Sequence, residues 1–304
     1  MLRRYDLRDG GIVSTEDEHS PILVMINPDK DEVSYLTTTF ELDEHTLNSA
    51  LDPDELSRLE FEQNHFALIF KRPRNYSSEE QFLFKVSSIG VFMFKERMII
   101  LISEDVPLFD GRQAYKVTSL HDVLLKVFYR SIAHFVQHLR IINMISDEIE
   151  QKVNESMENR YLLHMFTLEK SLVYYLNAVN SNAMVIEKLR NASSRIGFTP
   201  ENLELLEDIL IENTQCMKQT EIYSNIISSM MDARASIVNN NLNTLMKTLT
   251  IMTIAIMVPT FVVSAFSMNV SIPFKNNLYA FYIILGISAS ALAILLLFFR
   301  YKKW

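Results

Sequence analysis

The stretch TLTIMTIAIMVPTFVVSAFSM, Thr248–Met268, carries no charged side chain over a length that matches the roughly 20 residues a helix needs to cross a bilayer core. From Pro200 to Met268 there is no glycine, and the one internal proline is Pro259, which a membrane helix tolerates because its neighbours satisfy the freed carbonyl. A second uncharged run, Asn276–Phe299, follows after a short loop, and Arg300, Lys302 and Lys303 close it. Two such runs predict two C-terminal spans, residues 248–268 and 278–299, with an external loop at 269–277 and a basic tail at 300–304. The alternative is a pair of buried core helices, against which the terminal RYKKW argues. Lys247 before the first span and the basic cluster after the second place both ends in the cytoplasm, by the excess of Lys and Arg on cytoplasmic flanks.

Outward from the spans, charge divides the chain. The 304 residues hold 29 Lys and Arg against 37 Asp and Glu, a formal charge of −8. No acid follows Asp232, while six basic residues do, so the first 232 residues carry −14. An acidic surface of this kind argues against a nucleic-acid partner, because phosphate contact needs basic residues. An apolar content of 48% excludes wholesale disorder. MLRRYDLRDGG at the start lacks the apolar run of a secretory signal, which keeps the acidic part cytosolic. The lone Cys216 fits that reducing compartment and reads as a buried apolar side chain.

Residues 1–120 predict an α/β domain. Ile22–Ile26, Phe66–Lys71, Phe82–Val86, Ser88–Phe94 and Met98–Ile102 have the composition and spacing of strands. Asp43–Ala50 and Asp54–Gln63 read as helices, with Asp52-Pro53 opening the second. Residues 121–247 predict a helical stalk region. Val123, Val127, Ile132, Phe135, Leu139 and Ile142 mark a first helix, and Leu162, Met165, Leu168, Leu172, Tyr175 and Val179 a second. Gly197 closes that hairpin; Thr199 caps a third helix with Pro200 in its first position, running unbroken into the first span. At 1.5 Å per residue such a helix is about 100 Å long, of which a bilayer takes about 30 Å. A single stalk bearing one span encloses no pore, so any transport requires oligomerisation.

One face of this helix passes through Asn243, Met246, Thr250, Thr253, Met257, Thr260, Ser264 and Ser267 at alternating steps of three and four. Lipid offers hydroxyls nothing, so the stripe faces helices or water. Spacing leaves helix packing and pore lining open, since small hydroxyl residues serve both. Asn239, Asn240 and Asn241 at one end and Asn269 at the other suit a wet path.

These residues also carry a family resemblance. NTLMKTL at Asn243–Leu249, MVPTF at Met257–Phe261, SMN at Ser267–Asn269 and the terminal YKKW resemble the CorA family of divalent-cation transporters, with its NxxMKxLT, MPxTF and Gly-Met-Asn patterns. LDPDELSRLEFEQNHFALIF at Leu51–Phe70 is similar, more weakly, to the family's cytosolic domain. The resemblance implies an α+β membrane protein, a funnel-shaped homopentamer in the inner or plasma membrane, with the first span lining the pore. It implies that Ser267, Met268 and Asn269 form the filter, with Asn269 supplying the selectivity ring. Asn243, Met246, Leu249, Met257 and Thr260 would line the pore, Leu249 competing with Thr250 for one place. It further implies a regulatory Mg²⁺ at Asp208, with Asp52 or Asp54 as partner carboxylate.

Two departures stand out. Ser267 replaces the family's glycine, and the loop Val270–Asn277 has no acid and contains Lys275. Transported Mg²⁺ is the leading expectation. The loop is similar to that of the zinc-transporting ZntB branch, which keeps Zn²⁺, Co²⁺ and Ni²⁺ as alternatives, and Ser267 with Lys275 favours a non-conducting membrane sensor or scaffold. His134 and His138, four apart on a helix, suit metal ligation by spacing, but no carboxylate lies near them in sequence and packing is the simpler role. GxxxxGK[ST], GxGxxG and HExxH are all missing, which leaves ATP-driven or enzymatic chemistry without support.

Overall fold

A computed structural model describes residues 1–76, 82–109, 116–155, 159–269, 273 and 278–302. Its contacts cluster into two units, Met1–Met231 and Asp232–Trp304.

The first unit is built on a seven-stranded sheet. Its strands are β1 (Leu2–Arg8), β2 (Gly11–Thr15), β3 (Ile22–Ile26), β4 (Arg58–Phe61), β5 (His65–Pro73), β6 (Val86–Phe94) and β7 (Met98–Ile102). Their order is β2-β1-β3-β7-β6-β5-β4, antiparallel throughout except for the parallel pair β3 and β7. Strands β3 and β7 are buried along their whole length, which explains their unbroken apolar sequences: both faces of the sheet are covered.

Alternate residues feed two cores. Leu23, Met25, Ala67, Ile69, Ile99 and Leu101 point to one side, toward Leu36 of α1 (Lys30–Thr39) and Leu47 of α2 (Glu44–Leu51). Ile22, Val24, Leu68, Phe70, Ile100 and Ile102 point to the other, toward α3 (Leu120–Glu155) and α4 (Asn159–Asn191). Phe70 stacks on Phe128 at 4.3 Å between ring centres. On the first side α2 lies so close that a Cβ at Gly90 would collide with the Ala50 side chain.

Polar side chains tie α4 to the sheet. The Asn182 amide oxygen accepts from the backbone N–H of Lys71 (2.8 Å) and from the Ser57 hydroxyl (3.0 Å), and its amide nitrogen donates to the Lys71 carbonyl (2.9 Å). Ser181 Oγ accepts from Ser57 N (2.7 Å).

After α5 (Ser193–Ile196), Gly197 adopts φ +88°, a left-handed conformation glycine enters without penalty, and so ends the α3–α4 hairpin. The helix α6 (Pro200–Phe266) then begins. Thr199 caps it as the sequence predicts: its hydroxyl accepts from Asn202 N (3.3 Å), and Asn202 Oδ1 accepts from Thr199 N (3.2 Å). Within the first unit α6 buries Asn202, Leu206, Ile209, Asn213, Cys216 and Thr220, a seam of three- and four-residue steps, and Ile227 one heptad further on. Asn213 Nδ2 donates to the Val179 carbonyl at 3.0 Å, pinning that seam to α4.

Two local expectations fail. Asp54–Gln63 is not a helix: Asp52 is the C-cap of α2, and Arg58–Phe61 pairs with β5 as an edge strand. Tertiary pairing with β5 overrides the helical propensity of a Glu-rich segment. Phe82–Val86 is also not a strand, since β6 begins at Val86; Phe84 is instead buried against Tyr76 and Tyr175. Strands β1 and β2 and helix α1 add to the elements that the sequence pattern marks.

The second unit consists of the rest of α6 and α7 (Ala280–Tyr301). Both contain a stretch long and apolar enough to span a bilayer, with none of it buried in α6 and 6% in α7. Buried core helices of a soluble protein would show the reverse. The loop at Val270–Asn277, with Lys275, lies outside the described residues except for Pro273.

Candidate functional site

In the second unit α6 is unequally shielded. Ile251, Ile254, Ala255, Val258, Val262 and Ala265 are half-buried and recur at helical spacing along one face. On α7, Ile283, Ile284, Ala291, Leu292 and Leu295 are half-buried, and Ser288 is only 7% exposed, again on one face. The stripe read from the sequence runs along a different side of α6. Asn243, Met246, Leu249, Thr250, Thr253, Met257, Thr260 and Ser264 are all exposed.

The stripe's hydroxyls have a common geometry. Thr250, Thr253 and Thr260 each donate to the carbonyl four residues back, on Met246, Leu249 and Ile256, at 2.8, 2.8 and 2.7 Å. With the proton committed to the helix backbone, each hydroxyl presents lone pairs outward and acts as an acceptor. A Thr in this state suits a partner that donates, such as water bound to a cation.

Helix α6 ends at Phe266, so Ser267, Met268 and Asn269 form its exit turn. Ser267 N and Oγ both donate to the Ser264 carbonyl, at 3.1 and 2.8 Å. Among the described non-glycine residues, positive φ occurs at Asp9, Asn27, Glu41, Phe82 and Lys116, not at Ser267. This turn therefore makes no demand for glycine, and the serine side chain adds a bond to it. Met268 and Asn269 are exposed.

The acidic candidates lie in the first unit. Asp52 and Asp54 sit on an exposed loop where Asp54 N donates to Asp52 Oδ1 at 2.9 Å. Lys71 of β5 holds this loop, a role that its place at the end of the run Phe66–Lys71 does not signal. Its Nζ donates to the Pro53 carbonyl (2.7 Å) and to Ser88 Oγ (2.8 Å), and Ser88 Oγ donates to the Asp52 carbonyl (2.6 Å). Burial lowers the Lys71 amine to about 8, opposed by Asp52, Asp54 and Glu55. Asp208 is exposed on α6 beside Glu207, which reaches Arg190 at 3.7 Å. Among the described residues no three His, Cys, Asp or Glu side chains of one chain converge on a metal position, so Asp208, Asp52 and Asp54 do not form one within a subunit.

The two histidines pack. His138 is buried with Nδ1 2.6 Å from the Tyr175 hydroxyl, and its ring lies 4.3 Å from that of His134. Burial pushes both down to about 4, with nearby Arg72 adding to the effect. Cys216 is fully buried and its thiol is pushed up to about 12, an inert side chain.

Residues 19–303 match the family model described as CorA-like Mg²⁺ transporter protein. The chain belongs to the CorA family. It is 26% identical to the cobalt/magnesium transport protein CorA of Methanocaldococcus jannaschii, over 98% of this chain and 97% of that one. The solved structure of CorA from that organism superposes with a TM-score of 0.82, covering 99% of this chain and 97% of its own. The full-length CmaX protein gives a TM-score of 0.76 at 15% identity, covering 100% and 97%. The CorA architecture is thus present in full: an α/β domain, long helices and two C-terminal apolar helices.

Proposed function

We propose that this CorA-family chain is a channel-like Mg²⁺ transport protein of the inner or plasma membrane. It works as a homopentamer in which α6 of each copy lines a central path, with both termini cytoplasmic. The observation that carries the reading is the exposed stripe from Asn243 to Ser264, polar and methionine-lined, ending at Asn269. A single chain leaves it open; five copies around an axis give it water.

Magnesium releases its waters reluctantly and usually keeps several. A filter for it works best by accepting hydrogen bonds from those waters rather than by stripping them. Five Asn269 amide oxygens supply such acceptors, and the outward lone pairs of Thr250, Thr253 and Thr260 continue them down the path. No carboxylate is needed, so binding is weak enough for the ion to leave. Met246 and Met257, 56% and 62% exposed, form apolar constrictions that close by excluding water.

Regulation follows from the acidic first 232 residues. Cytosolic Mg²⁺ bridges Asp208 of one subunit and Asp52 or Asp54 of the next, holding the symmetric closed state. Its loss leaves like charges to repel. A second reading, Co²⁺ or Zn²⁺ as cargo, draws on the M. jannaschii relative's name and on the fold likeness to the ZntB cytoplasmic domain of Vibrio parahaemolyticus, at a TM-score of 0.60.

Dye-monitored Mg²⁺ uptake into proteoliposomes tests the filter. Wild type conducts, and Asn269→Ala loses flux or discrimination against Co²⁺ and Zn²⁺; unchanged flux and selectivity in the variant would refute it. Flux that appears only in Ser267→Gly would mark the natural chain as a sensor.

A further inference from the structure

The buried row of α6, Asn202, Leu206, Ile209, Asn213, Cys216 and Thr220, has heptad spacing, and a seam of that period has more than one way to mesh. Sliding α6 by seven residues, about 10 Å at 1.5 Å per residue, returns an equivalent row to the same face. Asn213 breaks the equivalence. It is 0% exposed in the middle of the row, where an apolar side chain would cost less. Its Nδ2 donates to the Val179 carbonyl at 3.0 Å, and among the described residues no protein group donates to its Oδ1. A buried amide that is half satisfied adds little stability. What such a group supplies in a helical seam is a choice of register.

The acceptor is as particular as the donor. A helical side chain leans over the turn N-terminal to it, so the residue at i+4 shields the carbonyl at i. For Val179 that residue is Ala183, which leaves the oxygen open to Asn213. One heptad away on either side, the carbonyls of Leu172 and Ile186 have the larger Leu176 and Arg190 at i+4. A register shifted by seven would therefore bury the Asn213 amide without its acceptor. The same stretch of α4 is fixed to the sheet: Asn182 holds both backbone groups of Lys71, and Lys71 Nζ holds the Pro53 carbonyl between Asp52 and Asp54. Asp208 lies five residues before Asn213 on the same helix, so the register of α6 sets its height against that loop.

We propose that Asn213 is a positioning residue that locks α6 in a single register on α4 and so sets the height of Asp208 relative to the Asp52–Asp54 loop. In a ring of identical copies that height is common to all of them, so one register serves every pairing of Asp208 with a loop. The lock needs no assumption about transport; its link to Asp208 rests on the proposed Mg²⁺ regulation.

Spin labels at Asn180 of α4 and Asn225 of α6, both exposed, test the lock by pulsed electron–electron distance measurement. The sample is full-length protein in detergent, with labelled chains diluted in unlabelled ones. The wild-type background is expected to give one distance. Asn213→Leu is expected to add a population displaced by about 10 Å along the helix, with an unfolding midpoint no lower than that of wild type. Asn213→Ala should add the same population even where it costs stability. A merely structural asparagine would do the reverse, lowering the midpoint of Asn213→Leu and keeping one distance. In the same preparations, protection from protease by Mg²⁺ should need at least about fivefold more Mg²⁺ in Asn213→Leu, the low end of allosteric couplings, although every carboxylate is intact. One unchanged distance in both variants would overturn the lock. A new register with unchanged Mg²⁺ dependence would overturn its link to Asp208, whereas a wild type that Mg²⁺ does not protect would overturn the regulatory reading and leave the lock to be decided by the distances.

Discussion

The two units of this chain solve opposite burial problems. In Met1–Met231, Phe70, Phe128, Phe135, Leu139 and Leu172 are no more than 0% exposed, and both sheet faces are covered from within the chain. In Asp232–Trp304, Ile256 is 70% exposed, Phe261 75% and Phe281 70%. An aqueous protein rarely tolerates so much contiguous exposed apolar surface. The lesson is one of solvent: the first unit completes its core with its own residues, whereas the second leaves its apolar surface uncovered by the chain itself, as a bilayer-spanning segment does. Helix α6 displays the switch on a single element, since its buried seam ends at Ile227 and its exposed stripe begins at Asn243.

The sharpest way to break this comparison is a matched pair of truncations. Phe135→Ala removes a fully buried ring that packs edge-on against Tyr175, and should cost the first unit about 3–5 kcal/mol in denaturant unfolding. Phe261→Ala should leave that transition within about 0.5 kcal/mol, the range of substitutions away from a packed core. Equal effects would deny the division.

Acid should discriminate next. The His138 imidazole sits at about 4 in the folded chain against an ordinary 6.5, so between those values the unfolded chain holds the extra proton. Its contribution is complete above about pH 6.5 and is lost as pH falls toward 4. The unfolding free energy of the first unit should fall across that window, and His138→Gln should flatten the slope. A slope unchanged in the variant would remove His138 as its source.

The smallest effect is local. Lys71→Met removes the ammonium that grips the Pro53 carbonyl while keeping most of the buried stem. Hydrogen exchange over Asp52–Ser57 should quicken with little change in global stability, because a buried charge is a poor stabiliser. Unchanged exchange would show the loop to be held by Ser88, Ser181 and Asn182 without Lys71.

Much of this was legible in the sequence where one residue type had one physical meaning. The Thr199-Pro200 start and the Gly197 stop each have a single reading, and the charge-free run at Thr248–Met268 has one alternative, a buried core helix, which the terminal RYKKW argues against. The apolar run Met98–Ile102 reads as a strand, and the structure adds that it is buried along its whole length. Arg58–Phe61 was not legible, because an edge strand is decided by its partner β5 rather than by its own propensity. Nor was the role of Lys71, which depends on a loop folded across it. The stripe on α6 could be drawn from spacing, but the direction of its threonine hydroxyls, which makes them outward acceptors, is a property of the folded helix.

The central claim is that this stripe faces water. The native Cys216 is buried, with its thiol pushed up to about 12, so it stays silent toward a polar thiol reagent and leaves introduced cysteines readable. Cysteines placed one at a time at Thr253 and Met257, and at Ile254 and Val262 on the half-buried face, should be treated with a membrane-impermeant methanethiosulfonate in reconstituted protein. The account predicts that Thr253→Cys and Met257→Cys react and that their modification blocks Mg²⁺ flux, while Ile254→Cys and Val262→Cys stay unmodified. Unreactive stripe positions, or reaction without regard to face, would contradict it.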